Sequence, residues 1–71
     1  MVVKLYHQHG CGMCQAIEMM LKKKGIEYES ILITTENVDQ YKVEGIMGTP
    51  TLDVDGVKYF KKECLDWVRG Q

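Results

Sequence analysis

Apolar residues between Met13 and Leu21 recur with the period of an α-helix. They fall at positions 13, 16, 17, 20 and 21, the spacing of one helix face, while polar residues occupy positions 15, 18, 22 and 23. Lysines crowd positions 22–24, where the helix dipole favours cations, and Gly25 follows as the residue type that commonly ends a helix. The pattern therefore predicts a helix that begins at Cys11 and ends before Gly25.

Two segments with apolar content suited to strands flank this helix. Residues 2–6 and 27–33 carry the valine, isoleucine, leucine and tyrosine side chains that fit a pleated sheet, and residues 7–10 form a loop. A strand, a helix and a second strand within about 30 residues form a βαβ unit. Its two strands are expected to be parallel, with a right-handed crossover.

The second half of the chain predicts a short helix, a hairpin and a final helix. Thr34 or Thr35 is a candidate cap for a weakly patterned helix over residues 36–44, and residues 45–50 form a loop. Residues 51–54 and 57–60 flank Asp55-Gly56, a pair that favours a hairpin turn between short strands. A last helix over residues 61–69 has an apolar stripe formed by Phe60, Cys64, Trp67 and Val68. The order of elements is therefore βαβαββα, which predicts a mixed α/β sandwich.

Length and cysteine usage favour one domain with a chemical role for its cysteines. A chain of 71 residues corresponds to a single domain over residues 1–71. Its three cysteines are an odd number, unlike the disulfide framework of a small secreted protein. A bridge between Cys11 and Cys14 closes a very small loop and constrains the unfolded chain little. Redox chemistry is therefore a better explanation of this pair than structural stapling.

Charge and hydropathy bear on the partners of the chain. The net charge is −1, with acidic and basic residues nearly balanced, which argues against a nucleic-acid partner. No apolar run reaches the length of a membrane span, and the first residues lack the pattern of a signal peptide. We expect a cytoplasmic monomer that binds neither nucleic acid nor membrane.

The Cys11-Gly12-Met13-Cys14 motif lies where a predicted strand has ended and a helix begins. The first N–H groups of a helix lack internal acceptors, so they and the helix dipole stabilise a thiolate at Cys11. Cys14 lies one turn further into the helix and is expected to be more shielded. We therefore predict that Cys11 attacks a disulfide and that Cys14 then resolves the mixed disulfide. His9 is positioned to tune the thiolate electrostatically.

The same cysteines permit an alternative, a metal or iron–sulfur binding module. A Cys-x-x-Cys motif is half of a zinc site, and His7 and His9 are near enough in sequence to complete four ligands. We interpret both histidines as loop residues and predict no metal site. Cys64 is expected to be a buried, inert thiol. Met13 is expected at the active surface, whereas the other methionines considered are interpreted as packing residues: Met19, Met20 and Met47.

The chain resembles the thioredoxin superfamily, and among its members the glutaredoxins. The resemblance rests on a strand leading into Cys11-x-x-Cys14 at a helix start and on Thr49-Pro50 before a hairpin, and it covers essentially the whole chain. It implies a thioredoxin-like three-layer sandwich of the minimal glutaredoxin type with a four-stranded mixed sheet. It also implies a Cys11–Cys14 redox disulfide and a cis Thr49–Pro50 bond beside it. The implied substrate-binding residues are Gly10, Met13, Thr49 and Pro50.

The implied activity is that of a dithiol–disulfide oxidoreductase, an electron carrier with no bound cofactor. Its partners would be a disulfide-containing protein substrate and an electron donor, either glutathione or a thioredoxin reductase supplied by NADPH. Glutaredoxins commonly carry a basic residue shortly before the first cysteine and an acidic pair before the last helix. This chain has Tyr-His-Gln-His-Gly at residues 6–10 and Tyr-Phe-Lys-Lys-Glu at residues 59–63. These differences predict weak glutathione binding.

Overall fold

The computed structural model describes residues 1–71 and contains seven elements in the predicted order βαβαββα. The strands are β1 (Val3–His7), β2 (Glu29–Leu32), β3 (Thr51–Val54) and β4 (Val57–Phe60). The helices are α1 (Gly12–Lys23), α2 (Val38–Val43) and α3 (Lys62–Arg69). None of them is long and apolar enough to cross a membrane.

The four strands form one mixed sheet in the order β2-β1-β3-β4. β1 runs parallel to β2, with Tyr6 opposite Ile31, and antiparallel to β3, with Tyr6 opposite Thr51. β3 and β4 form the predicted antiparallel hairpin. Asp55 and Gly56 at its turn have φ of 52° and 90°, the two positive values that a type I′ turn requires.

Helices cover both faces of the sheet, which confirms the predicted three-layer arrangement. On one face, Leu5 and Leu52 of the central strands pack against Ile17 of α1 and Val68 of α3. The opposite face carries a smaller cluster beneath α2 that consists of Tyr6, Ile33, Ile46 and partly buried neighbours. Tyr6 and Tyr41 meet there edge to face, with ring centroids 5.3 Å apart. Alternate residues of β1 therefore supply two separate cores.

Helix α1 ends as predicted, with Gly25 in the left-handed conformation at φ +69°. The Gly25 N–H donates to the Lys22 carbonyl at 3.1 Å, and the Ile26 N–H donates to the Leu21 carbonyl at 2.9 Å. This pair of hydrogen bonds is the Schellman motif, which satisfies carbonyls that the helix itself leaves unpaired.

Two predicted elements are shorter in the structure than the sequence pattern indicated. β2 covers residues 29–32 rather than 27–33, because its register pairs it only with Lys4–His7 of β1. α2 covers residues 38–43 rather than 36–44. Asn37 delays its start, since the side-chain oxygen accepts from the Thr34 N–H at 2.8 Å and the side-chain amide donates to the Leu32 carbonyl at 3.1 Å. Thr34 holds the preceding turn, where its hydroxyl accepts from the Glu36 N–H.

The interpretation of Met19 and Met47 as packing residues is wrong. Their side chains are 71% and 74% exposed, whereas Met20 is partly buried against the core. The buried stripe of α1 is narrower than the apolar periodicity suggested and consists of Cys14, Ile17 and Leu21. One row of α1 side chains is enough to cover its share of the sheet, because α3 covers the rest of the same face.

Lys61, between β4 and α3, has φ of 52° and ψ of −117°, a conformation that side chains with a Cβ rarely adopt. Lys61→Gly is expected to raise the free energy of unfolding by about 1 kcal/mol, because glycine adopts this conformation without strain. The matched control is Lys62→Gly, which places glycine at the first residue of α3, relieves no strain there and should not raise stability. Urea unfolding of both variants measures the two effects. A loss of stability in Lys61→Gly would contradict this assignment of strain.

Candidate active site

Cys11 and Cys14 lie at the start of α1, beyond the end of β1, and their Sγ atoms are joined in a disulfide. Their Cα atoms are 5.2 Å apart, within the range that a disulfide bridges without backbone movement. Cys11 is partly exposed, whereas Cys14 is only 3% exposed. The predicted difference in shielding is therefore present, and only Cys11 offers its sulfur to another molecule.

Cys11 is the N-cap residue of α1. Its backbone is extended, with φ −90° and ψ 100°, and its Sγ accepts a hydrogen bond from the Cys14 N–H at 3.1 Å. A sulfur atom thus occupies the position at which a serine or aspartate oxygen commonly caps a helix. Once the disulfide is reduced, this N–H and the helix dipole favour negative charge on the same sulfur. No acidic side chain lies in the first turn of α1 to oppose that charge.

The Thr49–Pro50 segment approaches the same end of the sheet, and its peptide bond is cis, as predicted. The antiparallel register of β1 and β3 sets Thr51 opposite Tyr6, so Thr49 continues toward the loop that precedes Cys11. The Thr49 hydroxyl donates to the side-chain oxygen of Gln8 in that loop at 2.8 Å. Gln8 was not among the predicted site residues. A sequence signal for it existed only in its position three residues before Cys11.

The Pro50 carbonyl is held from behind by the turn between β4 and α3. It accepts from the Lys61 N–H at 2.9 Å and from the Cys64 thiol at 3.7 Å. The same thiol lies 3.2 Å from the Tyr59 carbonyl. Cys64 is fully buried, as predicted, and burial raises the pKa of its thiol to about 11. This thiol is therefore neutral at physiological pH and is not exposed at the surface.

Gly10 and Met13, two of the predicted substrate-binding residues, lie at the surface beside the disulfide. Gly10 is exposed, and Met13 is 41% exposed in the first turn of α1. His9 is exposed too and lines a cleft of about 440 Å³ together with Gln8 and residues 33–35. His7 does not line this cleft. It was expected in the loop, but it is the last residue of β1, and its Nε2 is 2.6 Å from the Ser30 hydroxyl on β2.

The ligand set of the metal alternative is not assembled in the structure. No group of three or more histidine, cysteine, aspartate or glutamate side chains lies close enough together to hold a metal ion. His7 is engaged by Ser30, and the two cysteines are bonded to each other. The structure instead brings together the Cys11 sulfur, which caps α1, the buried Cys14 and the Thr49–Pro50 segment.

The sequence model of one protein family, described as glutaredoxin, matches residues 3–59, which include both cysteines and the Thr49–Pro50 segment. The chain belongs to the glutaredoxin family. Membership supports a thiol–disulfide redox function and confirms the resemblance that the sequence suggested. A search of curated protein sequences finds no match to this glutaredoxin-family chain.

Solved structures with the same fold include the glutaredoxin-like protein NrdH-redoxin from Escherichia coli. It is 17% identical, the match covers 99% of this chain and 93% of that one, and the TM-score is 0.78. A thioredoxin-like protein is 22% identical over 93% of this chain and 97% of its own, with a TM-score of 0.73. A glutathione S-transferase from the hookworm Necator americanus is 28% identical over 99% of this chain but 34% of its own, with a TM-score of 0.76. These similarities establish the thioredoxin-like fold.

Proposed function

We propose that this glutaredoxin-family protein is a dithiol–disulfide oxidoreductase that uses Cys11 as nucleophile and Cys14 as resolving thiol. The observation that carries the proposal is the asymmetry of the pair. Cys11 is partly exposed and its sulfur accepts the Cys14 N–H, whereas Cys14 is buried behind it. A nucleophile must be reachable and favoured as a thiolate, and Cys11 meets both conditions.

The reaction exchanges one disulfide for another. The Cys11 thiolate attacks one sulfur of the substrate, forms a mixed disulfide and releases the other substrate sulfur as a thiolate. Cys14 loses its proton and attacks the Cys11 sulfur, which breaks the mixed disulfide and releases the second substrate thiolate. The substrate has gained two electrons, and two protons from solvent complete its thiols. The protein has lost two electrons and carries the Cys11–Cys14 disulfide.

Four residues at this end of the sheet are proposed to bind the substrate chain: Gly10 and Met13, which are exposed, Thr49, which is partly exposed, and Pro50, which is buried beneath them. The backbone of Thr49 pairs with the substrate as a short added strand. The bond between the Thr49 hydroxyl and Gln8 supports this role, because it ties that segment to the loop before Cys11. His9, exposed two residues before Cys11, is proposed to tune the thiolate by its charge.

The proposed electron donor is a thioredoxin reductase supplied by NADPH, with glutathione as the less effective alternative. No resident cofactor is needed, because the two cysteines carry the electrons themselves: the dithiol holds two electrons that the disulfide has given up. The donor is supported by the fold neighbour NrdH-redoxin, which is described as a glutaredoxin-like protein with a thioredoxin-like activity profile. We further propose that the protein acts as a cytoplasmic monomer.

The test measures NADPH consumption during reduction of insulin and of the disulfide of 2-mercaptoethanol. One reaction contains thioredoxin reductase, and the other contains glutathione with glutathione reductase. We expect turnover that depends on this protein in the first reaction and little in the second. Absence of turnover in both, with a protein that can be reduced by dithiothreitol, would refute the oxidoreductase function.

Glutathione is expected to bind weakly. Gln8 stands where glutaredoxins commonly place a cation, and its oxygen already accepts from Thr49, while Lys61 and Lys62 replace the acidic pair. Titration of reduced Cys14→Ser with glutathione, followed by amide chemical shifts, should give small changes that do not saturate at millimolar concentration. The control is Gln8→Lys, which restores the cation and should tighten binding. Saturable binding by the parent near Thr49 would contradict this prediction.

A further inference from the structure

The exposed face of α1 is unusually apolar for a helix surface. Met19 is 71% exposed, Met13 is 41% exposed, and Ala16 lies in the open between them. Met19, Ala16, Met20 and Lys23 line a shallow hollow of about 360 Å³. At 100° per residue, these four side chains and Met13 share one side of the helix, beside the buried stripe of Cys14, Ile17 and Leu21. We call this set of five residues the methionine face.

The methionine face begins inside the redox motif. Met13 lies between the two cysteines and is exposed beside the disulfide, so the face borders the sulfur that a substrate must reach. From there the face continues along the helix for about 15 Å to Lys23, at 1.5 Å per residue. It is therefore continuous with the surface on which the proposed reaction takes place. Methionine side chains are flexible and polarizable, which suits a surface that adapts to a partner.

The charge of the methionine face sets the chemistry of that partner. The first turn of α1 has no acidic residue, and of the two lysines in the last turn Lys23 lies on this face while Lys22 lies on another side. The one acidic residue of the helix, Glu18, lies on another side, near Tyr28. The whole chain has a net charge of −1, so a face with apolar and basic groups alone is a local feature. Such a face complements a surface with apolar side chains and carboxylates.

We propose that the methionine face docks protein disulfides whose flanking sequence presents an apolar side chain and, beyond it, a carboxylate. The apolar side chain fills the hollow beside Met19, and the carboxylate meets Lys23. The proposal rests on the oxidoreductase function and adds the substrate class to it. Small disulfides that carry no peptide chain do not reach this face, and their reduction does not depend on it.

The test compares three disulfides with the reduced protein. Two are symmetric peptide disulfides. In the first, leucine lies about four residues and glutamate about six residues from the cysteine on each side, because an extended strand of that length spans the methionine face. The second has lysine in place of glutamate. The third is the disulfide of 2-mercaptoethanol. The parent should reduce the glutamate peptide at least about fivefold faster than the lysine peptide, and added salt should weaken this preference.

The variants separate docking from chemistry. Lys23→Glu should reverse the preference between the two peptides. Met19→Glu should lower the rate of reduction of the glutamate peptide about tenfold. Both should leave the rate with the small disulfide unchanged. The matched control is Lys22→Glu, which makes the same charge change on another side of α1 and should retain the preference. Equal effects of Lys22→Glu and Lys23→Glu, or no preference in the parent, would overturn the proposal.

Two further results would overturn the docking proposal for other reasons. A parent that reduces none of the three disulfides fails as an oxidoreductase, and the docking proposal falls with that function. Sedimentation of the parent should give a monomer at all concentrations. A dimer that Met19→Glu dissociates would assign the methionine face to a second copy of this chain and would likewise overturn the proposal.

Discussion

Cys11→Ser is expected to reduce disulfide turnover to the uncatalysed background, whereas Cys14→Ser is expected to stop the reaction at a covalent intermediate. The serine hydroxyl at position 11 is a far weaker nucleophile than the thiolate, which the Cys14 N–H and the helix dipole stabilise. With Cys14 replaced, Cys11 still attacks the substrate, but no second thiol releases the mixed disulfide. Intact-protein mass spectrometry after addition of an insulin disulfide measures this adduct.

The control for this pair is Cys64→Ala. Cys64 is fully buried, so its removal should leave most of the activity in place while changing the cysteine count in the same way. The assignment of roles is reversed if Cys11→Ser traps the substrate through Cys14. A large loss of turnover in folded Cys64→Ala would instead give the third cysteine a part in the cycle.

The order of elements was predictable because most elements, though not α2, have a strong local signal. The lysines before Gly25 and the apolar spacing of α1 define that helix almost to the residue. Asp55-Gly56 defines the hairpin in the same way, since this pair favours the type I′ turn that joins two strands through two residues. The boundaries of α2 were not predictable, because Asn37 binds backbone groups of Thr34 and Leu32 in a turn that competes with the helix.

The site was predictable where it depends on short sequence spacing and not where it depends on tertiary packing. The position of Cys11 before a helix is sufficient to make it the cap and Cys14 the shielded partner. Gln8 and Thr49 meet across 41 positions of sequence, and no periodicity connects them. Met19 was expected to pack only because it is apolar, since at 100° per residue it lies on the side of α1 opposite the buried stripe.

Stability should decrease by about 2–3 kcal/mol as the pH rises from 9 to about 11, through the thiol of Cys64. Burial raises its pKa from 9.0 in the ordinary case to about 11 in the folded chain. Between these values the unfolded chain has released the proton and the folded chain retains it. The unfolded state therefore binds fewer protons, and the free energy of unfolding falls by about 1.4 kcal/mol per pH unit. The stabilisation is complete below pH 9 and lost near pH 11.

Urea unfolding of the oxidised protein below pH 9 and near pH 11 measures this loss. In the oxidised protein Cys11 and Cys14 do not titrate, so Cys64 is the only thiol that does. Cys64→Ser, which retains a donor for the Tyr59 carbonyl, and Cys64→Ala should both lose about 2–3 kcal/mol less than the parent over this range. Tyr6 and Tyr28, whose pKa values burial also raises, contribute equally to all three proteins and cancel in the comparison. Equal losses of stability in the parent and both variants would show that release of the Cys64 proton is not coupled to unfolding. The thiol would then be less shielded than its packing beneath Pro50 implies.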